Sequence, residues 1–183
     1  YWKNMFKIAV ENEVIYFVEK LLKKHNFGRR GFADGNYNEQ VTGLIGQTVI
    51  QEFFNRKRPS GEGGFDGGVD LEVNGNRIDV KTMGRNVDPR PDYVNNFIGL
   101  QKNYDTDLLL FCSYNKRTKN LTVCGWISKV VFIKNASFFP LGTPRFRSDG
   151  TSFITKADLY ELENSELIQS SSIEELVLQI QSL

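Results

Sequence analysis

The sequence predicts an α/β fold, a mixed β-sheet flanked by helices, and three observations carry that prediction. Apolar residues recur at helical spacing near both ends of the chain. In the middle, an Asn-Gly pair separates two stretches of strict apolar–polar alternation. The segments run helix, helix, hairpin, short helix, strands, helix, so the two periods are interleaved and not segregated. A length of 183 residues suits one domain over 1–183, with the terminal helices as peripheral elements.

Each element has its own signal. Residues 5–24, MFKIAVENEVIYFVEKLLKK, carry apolar positions at helical spacing and end in lysines, which a helix C-terminus favours. The stretch GRRGFADGNYN reads as a loop, with Asn38 capping a second helix over 39–55. Pro59 and SGEGGFDGG mark a flexible connection. The hairpin VDLEVNGNRIDVK comes next, then a loop at NVDPRPD and a short helix over 92–103. DLLLFCSY and NLTVCGWI read as strands paired across the turn NKRTKN. Residues 130–150 are aromatic and irregular, KADLYEL holds a late strand, and 173–182 form an amphipathic C-terminal helix.

The hairpin fixes a geometry. With Asn74 and Gly75 as turn residues, opposed positions sum to 149, which sets Glu72 opposite Arg77, Leu71 opposite Ile78 and Asp70 opposite Asp79. Val69, Leu71, Val73, Ile78 and Val80 then share one face; Asp70, Glu72, Arg77, Asp79 and Lys81 share the other. Like charges directly opposed, with Cβ atoms roughly 4.5–5.5 Å apart, destabilise a sheet. A proton on one carboxylate or a cation between them relieves that, and magnesium takes such hard oxygen ligands. A solvated face with cross-strand ion pairs, Glu72 with Arg77 among them, is the plain alternative.

Composition excludes several chemistries. His25 is the single histidine, which leaves no histidine-based nuclease site, no Cys/His zinc site and no Ser-His-Asp triad. The glycine-rich stretch lacks the Lys-Ser/Thr of a phosphate-binding P-loop. No apolar run is long enough to span a bilayer and no secretory pattern opens the chain, so no membrane partner and a cytoplasmic location are expected. Cys112 and Cys124 lie in apolar stretches and read as core thiols. Net charge is +1, from 23 basic and 22 acidic residues, and such a balance does not by itself predict nucleic-acid binding. Local clusters do occur, at Arg29-Arg30, Arg56-Lys57-Arg58, Arg85 with Arg90, Lys116-Arg117 with Lys119, and Arg145 with Arg147.

Asp70, eight intervening residues and then Asp79-Val80-Lys81 resemble the PD-(D/E)XK nuclease superfamily, in a form similar to phage and mobile-element nucleases. The phrase FDGGVDLEVNGNRIDVKT carries most of the likeness, which covers residues 38–82, with element order alone beyond; Val69 stands where the family often has Pro. The resemblance implies a restriction-endonuclease-like fold and an endonuclease that hydrolyses DNA with Mg²⁺, Mn²⁺ substituting. Asp70, Asp79, the Val80 carbonyl and an acid on the preceding helix would hold the metal, and Lys81 would position the attacking water. Glu39 is the expected helix acid, because Glu39, Gly43, Gly46 and Ile50 fall within roughly 60° on a helical wheel and two glycines admit close packing. Glu52 and Gln47 are the alternatives. Arg56, Lys57, Arg58, Arg85, Arg90, Arg145 and Arg147 are the expected DNA contacts. Double-strand cleavage by one site per chain implies a dimer or tetramer. A non-cleaving DNA-binding or assembly module is the rival reading.

Overall fold

Alternation, and not helical spacing, governs the start of the chain. The computed structural model describes residues 5–25, 35–62 and 68–183. In it Phe6–Ala9 form strand β1, and helix α1 starts only at Asn12 and runs to Lys24. The expected helix over 5–24 is therefore a strand followed by a shorter helix. Phe6 and Ile8 pack on the core while Lys7, on the opposite face, pairs with Asp88. Pairing with a distant strand overrides a local helical pattern here.

Helix α2 spans Tyr37–Phe53, close to expectation, but Asn36 caps it and not Asn38. The Asn36 side chain accepts the Glu39 N–H at 2.9 Å, and the Glu39 carboxylate accepts the Asn36 N–H at 2.8 Å. This reciprocal capping box satisfies two backbone donors that the helix leaves open.

The strands β2 (Leu71–Val73) and β3 (Asn76–Arg85) form the expected hairpin. After β4 (Val94–Ile98) come β5 (Leu108–Asn115) and β6 (Asn120–Ser128). The main sheet has the order β1-β6-β5-β3-β2, with β3 and β5 parallel and the other pairs antiparallel, so it is mixed. A parallel pair needs a crossover connection. Residues 86–107 supply it through a loop, β4 and one 3₁₀ turn at Gly99–Asn103, where a helix over 92–103 was expected. The reason is long-range: β4 pairs with β10 (Leu159–Glu163), which also pairs with β7 (Ser137–Phe139) in a second sheet.

Helices α1, α2 and α4 (Ile173–Gln181) cover one face of the main sheet, where Val18, Ile50, Ile78, Val80, Leu110 and Ile180 form the larger core. The other face meets the second sheet and α3 (Lys129–Asn135) through Leu109, Phe111, Phe97, Phe132 and Leu162. The region expected to be irregular thus holds α3, β7 and part of a hairpin, β8 (Pro144–Phe146) with β9 (Ser152–Ile154). That hairpin turns Arg145 and Arg147 inward onto Glu161 and leaves Phe146 and Ile154 exposed. Cys112 and Cys124 are buried and free, and burial pushes both thiols up, Cys124 to about 12. No helix among the described residues is long and apolar enough to cross a membrane.

Candidate active site

The hairpin register follows the predicted sum for three pairs, Val73 with Asn76, Glu72 with Arg77 and Leu71 with Ile78, and then departs from it. Asp70 donates its N–H to the Ile78 carbonyl at 2.8 Å, so Asp70 and Leu71 both address Ile78. Asp70 is therefore not set squarely opposite Asp79. Its carboxylate turns along the strand instead and accepts the Val80 N–H at 2.7 Å. Gln51, on α2, secures this arrangement by donating its amide to the Asp70 carbonyl at 2.8 Å.

Asp79 and Lys81 keep the shared face that alternation assigns. Asp79 Oδ2 lies 2.8 Å from Lys81 Nζ, and the two side chains are only 10% and 17% exposed. In β5 their partners are Leu109 and Phe111, so the pair faces the second sheet, with Lys81 Nζ 5.8 Å from the Phe97 ring centroid. At this end the hairpin face is not solvated, whereas Glu72 and Arg77 on the same face are open to solvent. Nor does Glu72 take Arg77 as its partner: the Arg77 guanidinium donates to Asp107 at 2.9 Å.

Beyond Leu71, β2 no longer covers β3, and along this open edge lies a cleft of about 500 Å³. Its lining includes Lys81, Thr82, Gly84, Glu39, Asn96 and Lys116. Two missing side chains shape it. A Cβ on Gly46 would lie 1.8 Å from Thr82 Oγ1, which shows how tightly α2 presses on β3. A Cβ on Gly84 would lie 2.8 Å from Lys116 Cε, so the lysine stem crosses the strand where a side chain is absent. Gly43, expected to share the packing of Gly46, meets nothing within 4 Å.

Glu39 lines this cleft together with Lys81, but its carboxylate serves the capping box. Glu52 holds Arg58 at 2.5 Å instead of reaching the acids. Among the described residues no group of three His, Cys, Asp or Glu is placed to hold a metal.

The expected DNA contacts are mostly held by partners remote in sequence. Arg56 donates to the Glu72 carbonyl at 2.8 Å, and Arg58 pairs with Glu13 and Glu52 above the Phe17 ring. Arg85 pairs with Asp149, Arg90 with Asp92, and both lie over Tyr93. Arg145 and Arg147 share the buried Glu161. Lys57 alone of that set is exposed without such a partner. Arg29 and Arg30 lie outside the described residues.

Two contributors escaped sequence reasoning. Gln51 falls on a stripe with Leu44 and Thr48 at positions i, i+4 and i+7, all buried, and a glutamine on such a stripe signals a buried polar contact. Gly84 gave no local sign, because the lysine it accommodates comes from another turn. No family model, no curated protein and no solved structure matches the chain.

Proposed function

We propose that the chain is a magnesium-dependent endonuclease of restriction-endonuclease-like fold that hydrolyses DNA phosphodiester bonds around Asp70, Asp79 and Lys81. One observation carries the reading: Asp79 and Lys81 touch at 2.8 Å, and Asp70 seats its carboxylate on the Val80 amide between them. Lys81 also lines an open polar cleft.

The donors suit a hard cation. Asp79 projects from β3 and Asp70 rests its carboxylate on the next residue's amide, while the Val80 carbonyl points to the same strand edge as that amide. Magnesium usually takes one or two protein carboxylates and completes its shell with waters and phosphate oxygens. Asp70, Asp79 and Val80 would hold Mg²⁺, or Mn²⁺ in its place; Glu39 would have to release the Asn36 amide to join them. Bound there, the ion supplies Lewis-acid activation of water and neutralises phosphate charge.

The chain's own groups do the rest. The Lys81 ammonium, fixed by Asp79 and the Phe97 ring, donates to the attacking water or to a phosphate oxygen and stabilises the charge that builds there. Asp79 sets the position of that ammonium. Gln51 holds the Asp70 backbone, which aims the carboxylate at Val80. A dimer or tetramer would set two such sites on one nucleic acid.

A non-cleaving DNA-binding or assembly module on the same fold is favoured by one observation, the lack of a three-acid metal group among the described residues. Incubation with supercoiled plasmid, branched DNA and single strands, with and without Mg²⁺, separates the readings. Mg²⁺-dependent cleavage that disappears in Lys81→Ala and Asp79→Asn is expected. Unchanged substrate in every lane, with no calorimetric heat from Mg²⁺ or Mn²⁺, would overturn the enzyme and leave the module.

A further inference from the structure

The open edge of β3 carries more than the acid pair. Peptide groups alternate in direction along a strand. Odd-numbered residues turn towards β5, since the Arg77 and Arg85 carbonyls accept from Asp107 and Lys116. Even-numbered ones turn the other way: Ile78 accepts from Asp70, and the Val80 amide donates to its carboxylate. The N–H and C=O groups of Thr82 and Gly84 therefore point into the cleft, about 6.6 Å apart at roughly 3.3 Å per residue. No strand among the described residues pairs with them.

Lys116 reaches from the β5 side over the face of Gly84 and lines the same cleft. It is exposed and pairs with no acid among the described residues, whereas Arg85, next to Gly84 in β3, is tied to Asp149. The remaining lining includes four neutral asparagines, Asn36, Asn38, Asn95 and Asn96. Of these, Asn95 is buried and donates to Asn164 while Asn96 accepts from Arg147, and Glu39 has its carboxylate engaged. Backbone donors, amides and a free ammonium suit an anion joined to polar groups. The cleft volume of about 500 Å³ is that of a small-ligand site. That volume holds a drug-sized group, about one or two nucleotides of one strand, and not the paired strands of a duplex.

We propose that the cleft is a track for a single nucleic-acid strand, in which Lys116 and the open peptide edge of Thr82 and Gly84 bind the phosphodiester next to the one that Lys81 addresses. The inference rests on the reading that the Asp79–Lys81 site acts on nucleic acid. It narrows the substrate to a single strand, a flap or a frayed end.

Fluorescence anisotropy without metal tests it on the full chain, using a labelled single-stranded DNA and the matching duplex across a salt series. The wild type should bind the single strand more tightly than the duplex. Lys116→Ala should weaken single-strand binding about fivefold, as for one exposed charge contact. It should also flatten the slope of log affinity against log salt by about 0.7, the loss of one phosphate contact. Lys116→Arg should retain most of the affinity, and Gly84→Ala, which pushes the lysine stem aside, should mimic Lys116→Ala. Equal binding of strand and duplex, or a Lys116→Ala variant with unchanged affinity and slope, overturns the proposal. Lys116-dependent binding by a protein that cleaves nothing supports it and removes the hydrolysis reading instead.

Discussion

Two glycines of one helix should respond to the same substitution with opposite signs. In Gly46→Ala the new Cβ would lie 1.8 Å from Thr82 Oγ1, 2.9 Å from its Cβ and 3.2 Å from its Cγ2. Ordinary contact begins at 3.4 Å, so the shortfall is 3.4 − 1.8, or 1.6 Å. Thr82 is β-branched and held in the middle of β3, so it cannot swing clear. Helix and strand must part, and overpacking of this kind costs about 1–3 kcal/mol. Replacing glycine within a helix returns about 1 kcal/mol. The net loss is about 0–2 kcal/mol, a fall in Tm of up to about 8 °C for a chain of this size. Gly43→Ala meets no neighbour within 4 Å and should raise Tm by about 2–4 °C. Adding Thr82→Ala to Gly46→Ala should recover part of the loss: it removes Oγ1 and Cγ2, and Oγ1 is buried with no hydrogen-bond partner among the described residues to forfeit, but the 2.9 Å approach to the Thr82 Cβ remains. Thermal and urea unfolding of the four proteins give the result. If Gly46→Ala stabilises as Gly43→Ala does, or if Thr82→Ala restores nothing, α2 does not press on β3 as described.

Three other outcomes are expected. Glu161→Ala leaves Arg145 and Arg147 facing each other at a site where the glutamate side chain is 2% exposed, which should cost about 3–5 kcal/mol. Limited proteolysis should then cut first in β8–β9, and cleavage elsewhere would count against the triad's role. Burial alone would raise the Asp149 carboxyl, but hydrogen bonds from Thr151 and the Arg85 guanidinium outweigh it and bring it down to about 2. A depressed carboxyl stabilises above its unfolded value and loses that contribution as pH falls through the folded one. The contact between the hairpin tip and β3 should therefore weaken between about pH 4 and pH 2. Asp149→Asn should abolish that transition as followed by amide NMR shifts, and an unchanged profile would refute the assignment. Cys112 and Cys124, raised by burial, should resist alkylation at neutral pH until the fold is lost. Labelling of the native protein at the rate of the unfolded one would contradict their position in the core.

Local chemistry decided what was legible in the sequence. Asn74 and Gly75 both adopt positive φ, as the turn requires, and the register they set holds for every pair that β2 forms. The β5–β6 hairpin and helices α2 and α4 were equally plain, because their periodicity and turn residues are contiguous. What was missed depended on distant partners. β1 and β4 are strands because β6 and β10 offer them edges, and nothing near Phe6 or Val94 announces that. At the candidate site, alternation put Asp79 and Lys81 together, but it did not show that β2 stops at Leu71 and frees Asp70 to turn. The arginine clusters looked available because their acids, Glu13, Asp149 and Glu161, come from other parts of the chain. Lys116 emerged only once Gly84 was seen beneath it.

The brevity of β2 also bears on how the protein behaves in concentrated solution. A bare strand edge is a template on which another chain can add, and proteins guard such edges with charge, above all with lysine. Lys81 and Lys116 stand along the uncovered half of β3. Replacing both with apolar residues would strip that guard and invite edge-to-edge association, independently of the proposed activity. Self-association would then rise with protein concentration and fall when either lysine is restored.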